Sequence, residues 1–159
     1  MHLRPGTTVD RWTVLRPLGQ GGMAVVYLAR HDQLQSLHAI KLLTLPMPSI
    51  QARLLQEGRA QSALRHPNVV AVTDVITVGS NPALVMEYVD GPDLRQLLEG
   101  RELSIDAADQ LARGILRGVA AAHRQGLVHR DLKPGNVLLA VVDGALVPKI
   151  ADFGLTKVL

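Results

Sequence analysis

The most informative segment of this chain reads His129-Arg130-Asp131-Leu132-Lys133-Pro134-Gly135-Asn136-Val137-Leu138-Leu139. Asp131 and Asn136 are five positions apart in it, and a proline and a glycine lie between them. Proline and glycine favour tight loops, so we expect the carboxylate and the amide to face one small volume. Asp131 can accept a proton there, and Asn136 offers a hard oxygen ligand to magnesium.

A second acidic segment follows, Lys149-Ile150-Ala151-Asp152-Phe153-Gly154, in which Asp152 lies 16 positions after Asn136. An aspartate at the end of a strand can bind a divalent metal. An aspartate, an aromatic residue and a glycine in a row also occur in ordinary turns, so the weight of this motif comes from its position after a predicted hairpin.

Glycines are concentrated in the segment Leu18-Gly19-Gln20-Gly21-Gly22-Met23-Ala24-Val25-Val26. Glycines let a backbone lie close to phosphates and direct N–H groups at them. Predicted strands flank the segment on both sides, which excludes a glycine loop that opens a helix. An ordinary glycine turn is the alternative interpretation.

Lys41 ends the apolar run Ala39-Ile40-Lys41, 22 positions after Gly19. It can pair with phosphate oxygens, or it can extend to solvent from a strand edge. Glu57 lies on the inward side of a predicted helix, where it can orient Lys41 or remain a solvated surface group. Lys133 can offset charge on a phosphoryl group during its transfer.

Composition narrows the function classes. The chain has 159 residues, of which 47% are apolar, which suffices for one domain or for one domain and part of another. The absence of cysteine excludes a disulfide scaffold, a thiolate zinc site and a catalytic thiol. A net charge of +3 without a basic run, and 3% aromatic residues, disfavour nucleic acid as a partner. No apolar stretch approaches the ~20 residues of a membrane span, so we expect no membrane segment and a cytoplasmic protein.

The pattern of apolar residues predicts a strand-rich first half and a more helical second half. We expect helices over Ser49–Leu64, Asp93–Glu99 and from the cap Ser104 to about Gln125, the last with a core-facing stripe. Predicted strands cover Trp12–Leu18, Val25–Ala29, Leu37–Leu43, Val69–Val78, Ala83–Val89, Leu127–Val128, Val137–Ala140 and Val147–Ile150. The stripe of the long helix consists of Ala108, Leu111, Ile115, Val119 and Ala122.

The order of these motifs resembles that of the eukaryotic-type protein kinase family, particularly the serine/threonine kinases of bacteria. The resemblance implies an α+β, protein-kinase-like fold with an antiparallel β-sheet N-lobe, one helix in that lobe and the first part of a helical C-lobe. It implies an N-terminal extension at 1–11, an N-lobe at 12–86, a hinge at 87–91 and a partial C-lobe at 92–159. The residues that carry it are Gly19, Gly21, Val26, Lys41, Glu57, His129-Arg130-Asp131, Asn136 and Asp152-Phe153-Gly154.

The same resemblance implies a serine/threonine protein kinase that uses ATP and Mg²⁺ and phosphorylates a protein hydroxyl. Asp131, Lys133, Lys41 and Glu57 would be the catalytic residues, and Asn136 and Asp152 would bind the metal. Lys133 is similar to the serine/threonine branch of the family rather than the tyrosine branch. The nucleotide would contact Leu18, Gly19, Gln20, Gly21, Gly22, Val26, Ala39, Lys41, Met86, Glu87, Val89 and Leu138.

Three features depart from the family pattern. Ala24 replaces the third glycine, and the polar Gln61 stands where an apolar residue usually stacks on Phe153. The sequence ends at Leu159, so the later part of a kinase domain has no counterpart in it. The alternatives to an active kinase are therefore a truncated nucleotide-binding or regulatory module without turnover, or a product that needs a missing C-lobe or downstream chain.

Overall fold

The computed structural model describes residues 2–21, 24–44 and 47–153, without the side chain of Glu57. The chain divides into two compact units, one of Met1–Ser62 and Val72–Tyr88 and the other of Ala63–Ala71 and Val89–Leu159. The functional boundaries expected from the sequence, at 11/12, 86/87 and 91/92, stay a prediction.

The first unit is a six-stranded antiparallel sheet with one helix, α1 (Pro48–Ser62). Its strands are β1 (Thr8–Val9), β2 (Trp12–Gln20), β3 (Ala24–His31), β4 (Leu37–Leu43), β5 (Val72–Val78) and β6 (Asn81–Glu87). Along the sheet the order is β1-β2-β3-β4-β6-β5. The strands predicted for this region are all present, β4 with the predicted ends and the others with shifted ends, whereas β1 was not expected.

Side chains alternate along each strand, so every second residue lies on the same face of the sheet. One of the two faces forms the apolar core of the first unit. Tyr27, Ile40 and Val85 lie side by side on neighbouring strands and are almost fully buried. They belong to a buried cluster that also includes Trp12 and Val14 of β2. The opposite face therefore carries the alternate residues of the same strands.

The second unit contains the helices α2 (Leu94–Gly100) and α3 (Ile105–Arg124) and the hairpin of β7 (Val137–Val142) and β8 (Ala145–Ile150). Ser104 caps α3, as predicted, by accepting the N–H of Ala107 at 3.2 Å. The predicted hairpin turn is also confirmed. Its two central residues, Asp143 and Gly144, have φ values of 51° and 80°, as a two-residue turn requires.

The long helix faces its core with most of the predicted stripe, because Ile115 and Val119 pack against buried clusters in addition to the buried Leu111 and Ala122. Ala108 of the expected stripe is exposed, whereas Gly114 and Gly118 are buried. A Cβ at Gly118 would lie 2.6 Å from the carbonyl oxygen of Asn68, so the helix is too close to that segment for a side chain. Leu111 and Ala122 are buried as expected.

One other prediction for the second unit has a clear outcome. The strand expected at Leu127–Val128 is wrong, because neither residue belongs to a strand. None of the helices in the described part of the chain is long and apolar enough to span a membrane.

Candidate active site

The loop before β7 brings three predicted site residues together. The amide Nδ2 of Asn136 donates to the backbone oxygen of Asp131 at 2.9 Å and to its carboxylate Oδ2 at 3.3 Å. The ammonium of Lys133 lies 3.1 Å from the same Oδ2. The loop adopts this shape because Pro134 opens a short 3-10 turn, Pro134–Asn136, that returns the chain towards Asp131. An amide and a cation thus hold one carboxylate oxygen in place.

His129 connects this loop with the segment that leads to Asp152. Its ring Nδ1 accepts the backbone N–H of Asp131 at 3.2 Å, and its Nε2 lies 2.7 Å from the carbonyl oxygen of Ala151. These partners select the neutral tautomer with the proton on Nε2, which donates to Ala151. The ring is 4% exposed and lies 4.8 Å from the ring of Phe153. His129 was part of the quoted motif but was not among the predicted site residues.

Both segments contain a residue in the left-handed backbone region. Arg130 has a φ of 66° and Asp152 has a φ of 60°. Such conformations cost a non-glycine residue of order 1–3 kcal/mol and persist where the surroundings enforce them. Arg130 directly precedes Asp131, whose N–H donates to the His129 ring, and Asp152 directly follows Ala151, whose carbonyl oxygen binds the same ring. A further bond, from the N–H of Ala151 to the carbonyl oxygen of Asn136 at 2.9 Å, joins the two segments directly.

Asn68 supports the strand that leads to Asp152, a role the sequence did not indicate. Its side-chain amide donates to the carbonyl of Pro148 at 2.9 Å, and its own carbonyl accepts the N–H of Ile150 at 2.9 Å. His66 accepts the N–H of Asn68 at 3.1 Å. Residues 66–68, which follow α1 in the chain, therefore fix β8. The signal in the sequence was an asparagine after His-Pro, which is equally typical of a turn.

In the first unit, four of the predicted nucleotide residues share the sheet face opposite the apolar core. Lys41 pairs in register with Val26 on β3 and with Leu84 on β6, and its residue is 7% exposed. Ala39 and Met86 face each other on the same side of β4 and β6. The register therefore groups Val26, Ala39, Lys41 and Met86.

Helix α1 packs on this same face. A Cβ at Gly58 would lie 2.5 Å from Cδ2 of Leu84, so the helix lies close to β6 and a side chain at this position would require Leu84 to move. Leu84 is the cross-strand neighbour of Lys41. Glu57 precedes Gly58 in the chain, and its predicted ion pair with Lys41 lies outside the described part of the structure.

The glycine segment forms the end of the β2–β3 hairpin. Gly19 pairs with Val26, Gln20 pairs with Val25, and the N–H of Gly21 donates to the carbonyl of Ala24 at 2.8 Å. A Cβ at Gly19 would meet no atom within 4 Å, so the backbone has open space on that side. Gly22 lies outside the described residues.

The remaining predicted nucleotide contacts are distributed over both units. Leu18 is exposed on β2, and Glu87 ends β6 half-buried. Val89 is buried in the second unit, and Leu138 on β7 is half-buried and forms a bridge with Asp93. Their roles stay a prediction.

The donor set of the second unit fits magnesium. Because the amide nitrogen of Asn136 is bound to Asp131, its amide oxygen is the atom directed elsewhere and available to a hard cation. Among the residues that the structure describes, no cluster of three or more His, Asp or Glu side chains could hold a metal ion. Magnesium does not need one, since it is commonly bound by one or two protein oxygens together with phosphate oxygens and water.

Comparison with known proteins identifies the class to which this fold and these motifs belong. A family model for the protein kinase domain matches residues 12–159, and the chain therefore belongs to that family. The kinase-like α+β fold expected from the sequence is thereby confirmed.

The curated relatives are bacterial. A probable serine/threonine-protein kinase of Streptomyces coelicolor, SCO3848, is 43% identical over 148 residues, which cover 88% of this chain and 22% of that protein. The serine/threonine-protein kinase PkaB of the same organism is 40% identical over 94% of this chain and 38% of its own length. The chain thus spans well under half the length of these relatives.

Solved structures show the same architecture. The kinase domain of PknI from Mycobacterium tuberculosis matches 98% of this chain and 63% of its own with a TM-score of 0.84 and 28% identity. Rad53 in complex with AMP-PNP matches 92% of this chain and 39% of its own, with a TM-score of 0.81 and 29% identity.

Proposed function

We propose that this chain carries the ATP-binding and catalytic residues of a serine/threonine protein kinase, which transfers the γ-phosphoryl group of ATP to a protein hydroxyl. The observation that carries the proposal is the carboxylate of Asp131, whose Oδ2 lies 3.1 Å from the Lys133 ammonium and 3.3 Å from the Asn136 amide. A carboxylate fixed in this way can receive the proton of an attacking hydroxyl.

The three groups have different parts in this chemistry. Asp131 orients the acceptor hydroxyl and takes its proton as the oxygen attacks phosphorus. Lys133 stabilises the negative charge that develops on the equatorial oxygens of the moving phosphoryl group. Asn136 aligns the Asp131 carboxylate through its nitrogen and offers its oxygen to Mg²⁺, with Asp152 as the second protein ligand. Bound Mg²⁺ would neutralise charge on the phosphate oxygens.

Nucleotide binding is assigned to the other set of residues. Val26 and Ala39 offer apolar contact to the adenine ring, and Lys41 pairs with phosphate oxygens. The common sheet face of Val26, Ala39 and Lys41 supports this assignment. The glycine hairpin supplies backbone N–H groups to the phosphates. A similar solved structure, that of Rad53, contains AMP-PNP, which supports nucleotide binding by this chain. Because its substrate would be ATP, we place the protein in the cytoplasm.

A nucleotide-binding or regulatory module without turnover is the second candidate. Both candidates use the same nucleotide residues and differ only in the transfer step.

One assay series separates them. The purified chain is incubated with γ-labelled ATP, Mg²⁺ and a protein that exposes Ser, Thr and Tyr, followed by phosphoamino-acid analysis. Label on Ser or Thr that an Asp131→Ala variant does not produce supports the kinase. A rise in melting temperature with Mg-ATP but no label supports the binding module. The absence of both signals would overturn the proposal, and so would label mainly on Tyr.

Lys41→Met tests the nucleotide residues within the same series. It removes the cation assigned to the phosphates but retains an unbranched side chain of similar length. We expect weaker Mg-ATP binding and slower transfer. The control is Lys149→Met, which replaces a lysine on β8 in the same way. Equal Mg-ATP affinity of Lys41→Met and the unmodified chain would contradict the assignment of Lys41.

A further inference from the structure

We propose that residues 2–7, which we call the N-terminal strap, position the glycine hairpin and thereby set the affinity for the nucleotide. The hairpin consists here of the β2 residues 16–20 and the β3 residues 25–28. This inference rests on the proposed function, because it assigns a second element to the same nucleotide site. The sequence had suggested only an N-terminal extension at 1–11.

A tight turn fixes the course of the strap. Arg4 accepts the N–H of Thr7 at 3.0 Å, and between them stand Pro5 and Gly6, whose φ is 86°. Proline followed by glycine with positive φ is the signature of a type II turn. After the turn, Thr8 and Val9 form β1 and pair with β2.

The turn is also bonded to the middle of β2. The N–H of Gly6 donates to the carbonyl of Val14 at 2.8 Å, and the N–H of Val14 donates to the carbonyl of Thr7 at 2.9 Å. The residues before the turn are thus held at a defined place along the sheet. Because β1 and β2 are antiparallel, these residues lie beyond Val14, alongside the part of β2 that leads to Gly19.

Leu3 is the apolar anchor of the strap. It is 8% exposed and belongs to the buried cluster that contains Tyr27, Val25 and Ile40. Its backbone N–H donates to the Tyr27 hydroxyl at 3.0 Å in a buried environment. A buried N–H that loses its partner is costly, so this bond and the contact of the side chain hold Leu3 and Tyr27 together.

Tyr27 in turn faces the weakest part of the hairpin. It pairs in register with Pro17, which has no N–H to contribute to the ladder. The β2–β3 ladder has register shifts on both sides of this pair, between Val14 and Arg16 and between Pro17 and Gly19. Residues 16–20 are all exposed. This part of β2 therefore depends more than a regular strand on packing beside the ladder.

The strap and the hairpin also border one open groove. Its lining comes from His2 and Leu3 of the strap, from Pro17–Gln20 of β2, and from Val25 and Tyr27 of β3. Loss of the Leu3 side chain would enlarge this groove and leave Tyr27 without its cover. The expected consequence is a hairpin that samples more positions, and so binds the phosphates of ATP less tightly.

The test compares Leu3→Ala with Val9→Ala. The two residues have nearly equal exposure, 8% and 7%, and belong to the same cluster, but Val9 pairs with Trp12 at the far end of β2. We expect both variants to lower the melting temperature. Only Leu3→Ala should raise the KM for ATP, about threefold or more, with kcat changed less than about twofold.

Amide hydrogen exchange provides a readout that does not depend on nucleotide. In Leu3→Ala, the amides of residues 16–20 and 25–28 should exchange faster than in Val9→Ala. Tyr27→Phe, which removes only the acceptor of the Leu3 N–H, should show the same pattern more weakly and serves if Leu3→Ala does not fold. Equal exchange in the Leu3 and Val9 variants would overturn the inference. Absence of ATP binding by the unmodified chain would overturn the proposed function instead, and the exchange result would still decide the role of the strap.

Discussion

The imidazole of His129 donates from Nε2 to the carbonyl oxygen of Ala151 at 2.7 Å. Because His129 and Ala151 are 22 residues apart, this single side chain couples the loop that holds Asp131 to the segment that ends in Asp152. The other ring nitrogen accepts the N–H of Asp131. The placement of both acidic residues therefore depends on one neutral histidine.

The substitution His129→Gln should reduce catalysis more than nucleotide binding. A glutamine cannot satisfy both backbone partners from the same position, and a lost buried hydrogen bond costs about 1–3 kcal/mol. If misplacement of Asp131 raises the activation free energy of transfer by the same amount, kcat falls about 5- to 150-fold. Steady-state kinetics should show this fall with a smaller change in the KM for ATP. The exposed His123, near the end of α3, supplies the control variant His123→Gln, and equal kcat values for the two variants would contradict the coupling role.

The substitution Gly118→Ala should destabilise the second unit. Its Cβ would lie 2.6 Å from the carbonyl oxygen of Asn68 and 2.9 Å from Cδ1 of Ile150. Backbone cannot move away as a flexible side chain can, so we expect a loss of about 1–3 kcal/mol. Urea denaturation measures this directly. Gly100→Ala is the matched control because a Cβ there would meet no atom within 4 Å. A Gly118 variant as stable as the Gly100 variant would show that α3 is not so close to Asn68.

Stability should decrease in mild acid because of His38. Burial, and secondly the nearby His31, lower the pKa of His38 below its usual value of 6.5. The unfolded chain then binds more protons than the native one as the pH falls below about 6.5, so the free energy of unfolding falls with the pH. The contribution of neutral His38 to the free energy of unfolding is intact above about pH 6.5 and is lost at lower pH as His38 becomes protonated.

The measurement is urea denaturation at several values between about pH 5 and about pH 8. His38→Gln should flatten the fall in stability, whereas His123→Gln should leave its slope as it is. If His38→Gln keeps the whole acid-induced decrease, another group is responsible.

Local chemistry made much of the fold predictable. Ser104 caps α3 and the turn at Asp143 and Gly144 joins β7 to β8 as expected, because a cap and a two-residue turn depend on neighbouring residues. The segment Leu37–Leu43 is a strand with the predicted ends. The closeness of Asp131 and Asn136 likewise follows from five positions of sequence and an intervening proline.

What the sequence did not reveal depends on distant contacts. Gly118 weakens a helix by its propensity, yet it is buried because Asn68 lies against it, 50 positions earlier in the chain. Ala108 fits the predicted stripe but is exposed, whereas Leu111 and Ala122 of the same stripe are buried. The anchor role of Leu3 was missed because nothing near it in the sequence indicates a partner at Tyr27.

The most direct test of the account is the rate of phosphoryl transfer at saturating Mg-ATP in the variant Asp131→Asn. Asparagine keeps the shape of the side chain but cannot take the hydroxyl proton, so kcat should fall about 10²- to 10⁴-fold with little change in ATP affinity. Asp143→Asn, in the hairpin turn where asparagine tolerates the φ of 51°, should keep full activity. Transfer by Asp131→Asn at the rate of Asp143→Asn would contradict the central claim that Asp131 is the catalytic carboxylate.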